Sequence, residues 1–528
     1  MIREKIEKLV RNSVECLKEK NCVSPQKIEI IAKYPPKEEY GDYSVPLRED
    51  LAKQVQEKIN KRKPAFLERV EFLPPAFLNF YIKKEYLQER IDEILKKEEH
   101  FGKVNIGKKQ KVNVEFVSAN PTGSLHIGHG RGAFFGDVLA NFLSFIGFVV
   151  EREYYVNDAK DSNQIQEIGK TALGESQTYL TEELSLKIKS QKSRIKNIIQ
   201  KFKEKEIIYG EAGYLLAQEI LQDIKDFTSK KLKIKFNLWF SEERNLFKKG
   251  EIKRTINLLK KKNLVYEKDG ALWLKTSKYG DNQDWVIVRS NGKPTYFLSD
   301  IAYHINKIKR GYKKIIDIWG ADHQGHVRKM KAAMKAFGYK GDFEIFISQI
   351  VNLKGGEKMS KRKGNVIYLE DLIKEVGLDV ARYFYISKSL SSQMDFDLNL
   401  AKNQSEKNPV YYIQYSYVRT ESILRKAKKY KIKNADYKLL KDKNELRLIK
   451  ELIKFPEIIE DTITDCQLQR FTGYARNIAF AFNQFYRDCK VLDKDKKLAE
   501  ARLSLVLATK IVLSNLLSLM GISVPKKM

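Results

Sequence analysis

Apolar and polar residues alternate along Lys111-Val112-Asn113-Val114-Glu115-Phe116-Val117, with β-branched side chains among the apolar ones, and this period of two predicts a strand. Residues 133–143 are mostly apolar and long enough for a helix, so a strand-to-helix turn falls between the two. Strand candidates return at 149–156, 314–319 and 344–350, separated by helical stretches, and this order predicts a parallel α/β sheet with covered faces over residues 106–400. Within it, 160–290 reads as an insertion. Its 181–205 segment is lysine-rich, helical and exposed, and residues 281–299 read as a hairpin turning at Ser290-Asn291-Gly292-Lys293. Ahead of the sheet, Ile2, Ile6, Leu9, Val10, Ser13 and Leu17 fall near helical spacing, and 73–82 reads as a turn into a strand, so 1–105 is expected to be a small α+β unit. Past Asn403 only helices are predicted, over 446–459, 471–488 and 497–520, which makes 401–528 an all-α unit.

Charge adds a partner to this outline. The 528 residues carry 99 Lys plus Arg against 68 Asp plus Glu, a net +31, which favours a polyanion such as RNA. Cys16, Cys22, Cys466 and Cys489 form no close metal-type pair and read as reduced thiols of a cytoplasmic protein. The N-terminus is charged throughout and lacks the apolar core of a targeting segment. Residues 503–524 are apolar enough to suggest a membrane, but Lys510 and several polar residues favour a buried helix of an α-helical unit.

Two strings carry candidate chemistry. The first is Ser118-Ala119-Asn120-Pro121-Thr122-Gly123-Ser124-Leu125-His126-Ile127-Gly128-His129-Gly130-Arg131, at the predicted strand-to-helix turn. Gly123, Gly128, Gly130 and Gly132 remove side chains where a nucleotide could approach, the helix start offers free N–H groups to phosphate, and His126 and His129 add donors for charge developing on ATP. An ordinary glycine-rich turn with two surface histidines is the alternative. The second string is Lys358-Met359-Ser360-Lys361-Arg362-Lys363-Gly364-Asn365, a basic loop with Gly355 and Gly356 before it, suited to closing over a leaving pyrophosphate.

In this order, each after an apolar β-like run, the two strings resemble the paired signatures of class I aminoacyl-tRNA synthetases. The match is most specific to arginyl-tRNA synthetases of bacterial type, through Glu115-Phe116-Val117-Ser118-Ala119-Asn120-Pro121-Thr122-Gly123, Tyr154-Tyr155-Val156-Asn157-Asp158-Ala159, Tyr296-Phe297-Leu298-Ser299-Asp300-Ile301-Ala302-Tyr303, Trp319-Gly320-Ala321-Asp322-His323-Gln324-Gly325-His326 and Asn408-Pro409-Val410-Tyr411-Tyr412-Ile413-Gln414-Tyr415. It spans almost the whole chain. It implies a Rossmann-like catalytic domain over 106–400, a tRNA-contacting domain over 1–105 and an anticodon-binding helical bundle over 401–528. It further implies a cytoplasmic, monomeric enzyme that joins L-arginine to tRNA(Arg), with ATP and its Mg²⁺ as substrate complex and no protein-bound metal.

The resemblance also assigns residues. His126, His129, Lys358 and Lys361 would be catalytic. Gly123, His126, Gly128, His129, Gly320, Asp322, His323, His326, Met359 and Ser360 would contact ATP. Glu115, Ser118, Asn120, Tyr296 and Asp300 would line the arginine pocket, where carboxylates suit a guanidinium fork. Tyr411, Tyr415 and Arg419 would touch tRNA, aromatics beside a cation being suited to unstacked bases. For Asp300 the residues alone equally fit a dipole-complementing position at a helix start. For His323, His326 and Asp322 a zinc site is the rival, and for the tyrosines packing between helices. Rival functions are another amino acid in the same class, a non-catalytic RNA-binding protein and a metal-dependent hydrolase. The segment between the signatures leaves little room for a large editing domain, and arginine needs none, since polar discrimination reaches roughly ten-thousandfold unaided.

Overall fold

A computed structural model describes residues 1–19, 29–354, 367–430, 432 and 435–527. The chain opens with helix α1 (Ile2–Glu19), whose Ile2, Ile6, Val10 and Val14 are buried at helical spacing. Strand β1 (Tyr43–Pro46), helix α2 (Glu49–Lys61), strands β2 (Leu67–Leu73) and β3 (Phe77–Ile82) and helix α3 (Lys84–Lys97) follow. The three strands form an antiparallel sheet in the order β1-β3-β2.

The central sheet begins with β4 (Lys111–Glu115), followed by helix α4 (Ile127–Phe145) and β5 (Val149–Val156). Helices α5 (Asn163–Ala172), α6 (Glu182–Ser190), α7 (Lys192–Lys201) and α8 (Lys205–Asp226) come before β6 (Leu238–Ser241). Helix α9 (Glu251–Lys261) and a three-stranded antiparallel sheet, β7 (Val265–Lys268), β8 (Ala271–Leu274) and β9 (Trp285–Val288), lead to helix α10 (Tyr296–Lys309). The sheet resumes with β10 (Lys314–Gly320), helix α11 (Val327–Phe337) and β11 (Asp342–Ser348). Its order is β11-β10-β4-β5-β6, every neighbouring pair parallel, so β4 is the middle strand. Parallel strands need crossovers, and the helices supplying them bury both faces.

Strand β12 (Val351–Lys354), helices α12 (Leu369–Val376) and α13 (Leu378–Ile386), strand β13 (Met394–Asp397) and helix α14 (Leu398–Lys402) carry the chain to the last helices, α15 (Pro409–Lys426), α16 (Lys443–Ile453), α17 (Phe455–Asp465), α18 (Gln469–Asp488) and α19 (Lys496–Leu519). Helix α19 is long and apolar enough to cross a membrane by length and composition, yet most of it is buried among protein. Glu457 on α17, almost wholly buried, accepts bonds from the Arg3 backbone N–H (3.1 Å) and from the Tyr43 (3.0 Å) and Tyr34 hydroxyls, so the first and last parts of the chain share one polar joint.

Three expectations need adjusting. Residues 281–299 do turn back at 290–293, where the Arg289 N–H donates to the Lys293 carbonyl (3.0 Å) and the Thr295 N–H to the Ile287 carbonyl (2.9 Å), but the return arm is no strand, only a single bridge from Val288 to Pro294. Proline has no N–H to continue a ladder, and α10 starts two residues on. The strand expected at 344–350 runs from Asp342 to Ser348. The helix expected over 446–459 is two, because Pro456 sits in the first turn of α17 and cannot occupy a helix interior.

Candidate active site

The turn after β4 is strained where it matters. The Ser118 N–H donates to the Phe116 carbonyl (3.0 Å), closing a three-residue γ-turn on Val117. Val117 and Ser118 have φ of 70° and 39°, a hand that side-chain-bearing residues rarely adopt, and a β-branched one least of all. Ser118 holds the turn: its hydroxyl donates to Glu115 Oε1 (2.9 Å) and accepts from the Tyr155 N–H (3.0 Å). Such outliers concentrate at binding and catalytic sites. Asn120 follows, exposed at the same strand exit.

His126 caps α4. Its Nδ1 accepts from the Gly128 N–H (3.1 Å), and His129 Nδ1 accepts from the His126 N–H (3.2 Å). The rings stack with centroids 3.7 Å apart. With both Nδ1 lone pairs used, the proton of each neutral ring is on Nε2. Burial lowers the basicity of His126, and burial plus the His126 neighbour pulls His129 down to about 3. At neutral pH the pair is thus two uncharged donors at the N-terminus of a helix, an arrangement suited to phosphate oxygens. Gly128 is required by this stack, since a β-carbon would meet the His126 ring at 2.9 Å. Gly130 serves packing instead of nucleotide approach, a correction: a β-carbon there would meet Leu369 and Tyr385. Gly123 faces open space.

The second signature, with Lys358, Met359, Ser360 and Lys361, lies outside the described residues, but its flanks are informative. Directly after it, the Ile367 carbonyl accepts from Ile127 N–H (3.0 Å) and Leu369 N–H donates to Leu125 (2.9 Å). The Tyr385 hydroxyl donates to the Ile127 carbonyl (2.7 Å). The exit of the second string is therefore stitched to the start of α4, 240 residues earlier in the chain by number of Ile367 against Ile127 (367 − 127).

The central strands bring a row of anions and helix α10 the cations that answer it. Register places Asp317 of β10, Glu115 of β4 and Glu153 of β5 in one row across the three central strands, all buried. The cations answering them come from α10 at helical spacing. Lys307 Nζ donates to Glu115 Oε2 (2.8 Å) and Asp317 Oδ1 (2.7 Å), Arg310 holds Glu153 (2.8 Å), and His304 Nε2 lies 2.7 Å from Asp317 Oδ2. Burial opposes charge on Asp317, but Lys307 and His304 outweigh it and hold its carboxyl down at about 2. Burial raises Glu115, with Lys307 pulling the other way. Glu115 thus reaches the candidate arginine pocket already engaged by Lys307 and Ser118.

Tyr296 and Asp300 lie on the first turns of the same helix. Tyr296 is half exposed and its hydroxyl accepts from the Asn163 N–H at the start of α5 (3.1 Å). Burial pushes the Asp300 carboxyl up to about 6, against the pull of His304. Nearby Glu242 is buried beside Ser299 and Tyr155, and burial with the Asp300 and Asp158 charges raises it to about 8, so it is mainly protonated at neutral pH. At the end of β10, Gly320 caps a 3-10 turn holding Asp322, His323 and His326. A β-carbon on Gly320 would meet the Asp322 carboxylate at 2.5 Å, and the two imidazole centroids are 5.7 Å apart at 67°. Among the described residues no group of three or more His, Cys, Asp or Glu is arranged to hold a metal.

A cavity of about 260 Å³ opens behind the signature turn, lined by Gly123, Ser124 and Leu125, the apolar face of α8 and the carboxylates of Glu183, Asp223 and Glu370. Asp223 is paired with Lys187, while no ion pair among the described lining residues answers Glu183, so the lining is anionic on balance. On α15, Tyr411 and Tyr415 stack at 6.3 Å, and Arg419 lies 4.6 Å from both the Tyr415 and Tyr486 rings. Tyr417 between them is buried. His304, Lys307, Asp317, Glu153 and Glu242 escaped the sequence reading. The available signals were an aspartate inside the apolar run Ile315-Ile316-Asp317-Ile318 and cations at helical spacing from Asp300.

A parallel sheet whose middle strand ends in a histidine signature turn, with a nucleotide-type turn after the neighbouring strand, defines the class I aminoacyl-tRNA synthetases. Residues 90–396 match the family described as tRNA synthetases class I (R), catalytic domain, and residues 413–528 the DALR anticodon binding domain. The arginine–tRNA ligase of Carboxydothermus hydrogenoformans is 43% identical over 489 residues, 88% of this chain and 86% of that protein, and that of Dehalococcoides mccartyi is 39% identical over 95% and 94%. The chain belongs to the arginyl-tRNA synthetase family. Thermus thermophilus arginyl-tRNA synthetase shares the fold, with a TM-score of 0.79 over 100% of both chains at 21% identity.

Proposed function

We infer that the protein is an arginine-activating ligase acting on tRNA(Arg). The arginine carboxylate attacks the α-phosphorus of ATP, forming arginyl-adenylate and expelling pyrophosphate. A hydroxyl of the terminal tRNA ribose then attacks the carbonyl carbon and AMP leaves. No protein nucleophile enters: positioning and charge stabilisation carry both steps. His126 and His129 donate to phosphate oxygens, and Lys358 and Lys361 neutralise the departing pyrophosphate, with Mg²⁺ travelling on ATP. Gly320, Asp322, His323 and His326 border the nucleotide from β10. Asp300, Glu115, Ser118, Asn120 and Tyr296 receive arginine, and Tyr411, Tyr415 and Arg419 contact tRNA bases from 401–528. The enzyme works as a cytoplasmic monomer.

The observation that carries this reading is the pair of uncharged donors at the start of α4, directly after β4, in a fold where the partly buried Asp300 on the first turns of α10 makes no ion pair among the described residues. A pocket lined by a buried acid selects a cationic side chain, because a neutral competitor leaves that acid unpaired. The test is aminoacylation of total tRNA with each labelled amino acid in turn. Arginine alone should be incorporated, and incorporation of any other amino acid in its place would overturn the reading.

A further inference from the structure

The buried cations of α10 do more than balance charge. His304 is 2% exposed, and both of its ring nitrogens face oxygens. Nδ1 lies 2.7 Å from the Asp300 backbone carbonyl and Nε2 lies 2.7 Å from Asp317 Oδ2. A carbonyl oxygen can only accept, and so can an ionised carboxylate. A neutral imidazole would present a lone pair to one of them at hydrogen-bonding distance, a repulsive contact in a low-dielectric site. Both nitrogens must carry protons. The same ring is thereby tied to the backbone of Asp300 and, through Asp317, to Lys307, which in turn holds Glu115.

Building on the arginine pocket proposed above, we propose that His304 is a permanent imidazolium that, with Lys307, forms a buried cationic backing for that pocket: it fixes the rotation of α10 over the sheet, and with it the aim of Asp300 and Tyr296, and offsets the mutual repulsion of the pocket's carboxylates before substrate arrives. Both are positioning residues. The carboxylates of the network, Asp300, Glu115, Asp317, Glu153 and Glu151, outnumber its cations, His304, Lys307 and Arg310, so the site keeps an anionic excess for a cationic side chain. A neutral His304 would enlarge that excess and favour protonation of one carboxylate at the expense of arginine affinity.

The groups facing His304 from each neighbouring element agree on its charge. Asp317 of β10 accepts from it, the Asp300 carbonyl of its own helix accepts from it, and the Phe343 ring of β11 meets it edge-on with centroids 5.3 Å apart. Lys307 alone opposes, and it is itself neutralised by Asp317 and Glu115. Burial works against a charged ring, yet Asp317 and the Asp300 carbonyl prevail and hold its basicity above that of a free histidine.

Two measurements test this on the full-length protein. Nitrogen-15 NMR of histidine-labelled wild type at pH 7.5 should give one imidazolium signal, absent in His304→Gln, beside the neutral signals of the signature pair. A neutral His304 would overturn the proposal whether or not any variant folds. Pyrophosphate exchange with tRNA present should then show the arginine KM of His304→Gln and His304→Asn raised about tenfold or more at pH 7.5, equivalent to about 1.4 kcal/mol of lost arginine affinity, with the ATP KM within about twofold. Lys307→Arg, which keeps the cation, should lose less than Lys307→Met. An unchanged arginine KM in the histidine variants would refute the positioning role. Failure of the wild type to use arginine at all would instead refute the proposed substrate and leave the NMR result standing.

Discussion

Lowering pH should weaken arginine binding with a midpoint near 6, and Asp300 is the reason. Burial, with the Glu115 charge adding to it, pushes its carboxyl up to about 6 in the free protein, and a bound guanidinium would favour the ionised form. The sign follows from a folded-state acid that is weaker than usual: arginine binds the deprotonated form, so affinity is flat well above pH 6 and falls as pH drops through it. At pH 5 the ionised fraction is about one in eleven, so the arginine KM should rise roughly tenfold relative to pH 7.5, or about 1.4 kcal/mol. The ATP KM should change far less, because the signature histidines stay neutral down to about 3 in the case of His129. Asp300→Asn should lose one charge-assisted contact, about 1.5–3 kcal/mol, and should also lose the acid limb. The assay is ATP–pyrophosphate exchange at saturating ATP and tRNA from pH 5 to 8, with wild type and variant in parallel. An arginine KM that stays flat to pH 5, or an Asp300→Asn protein that keeps the wild-type acid limb, would refute the reasoning.

Other outcomes follow from the same geometry. Lys361→Ala should slow adenylate formation roughly a hundredfold while leaving tRNA binding near wild type, the usual cost of about 3 kcal/mol for a lost transition-state donor; single-turnover exchange measures it. Gly130→Ala places a β-carbon 2.8 Å from Leu369 and 2.9 Å from Tyr385; it should destabilise by about 1–3 kcal/mol in urea unfolding and slow activation by prising residues 367–369 from α4. Glu457→Ala leaves the buried Tyr43 and partly buried Tyr34 hydroxyls and the Arg3 backbone N–H without their acceptor, although the Arg3 guanidinium keeps Asp461, and should cost about 3–5 kcal/mol by the same measurement. Arg419→Ala should raise the KM for tRNA and leave the arginine KM unchanged, read by charging at varied tRNA.

The elements were most legible where one pattern dominated. The alternation at 111–117 and the apolar run after it located β4, α4 and the signature turn, because a central parallel strand and its helix obey simple periodicities. Prolines 294 and 456 mark where this failed, because periodicity alone does not register a missing N–H. The site was legible through motifs that are contiguous in the chain. His304 was passed over because it sits singly in a helix whose neighbours looked like core. Its meaning needs Asp317 from another strand, and only folding supplies that contact. Glu115 shows the same limit: the alternation placed it at the end of a strand, but its engagement by Lys307, 192 residues away, is invisible to local pattern.

The γ-turn at Val117 bears on how this protein can be changed. A valine held at a φ of 70° carries a local penalty on the order of 1–3 kcal/mol. Val117→Gly would relieve that strain, at the cost of the valine's packing on two apolar clusters and of extra freedom in the unfolded chain. The same peptide units also aim Glu115 and Asn120, and glycine would let them wander over a wider arc. Relief of strain is opposed by packing and precision at this one position, so lineages that adapt to heat are expected to strengthen the chain elsewhere and to leave this residue alone.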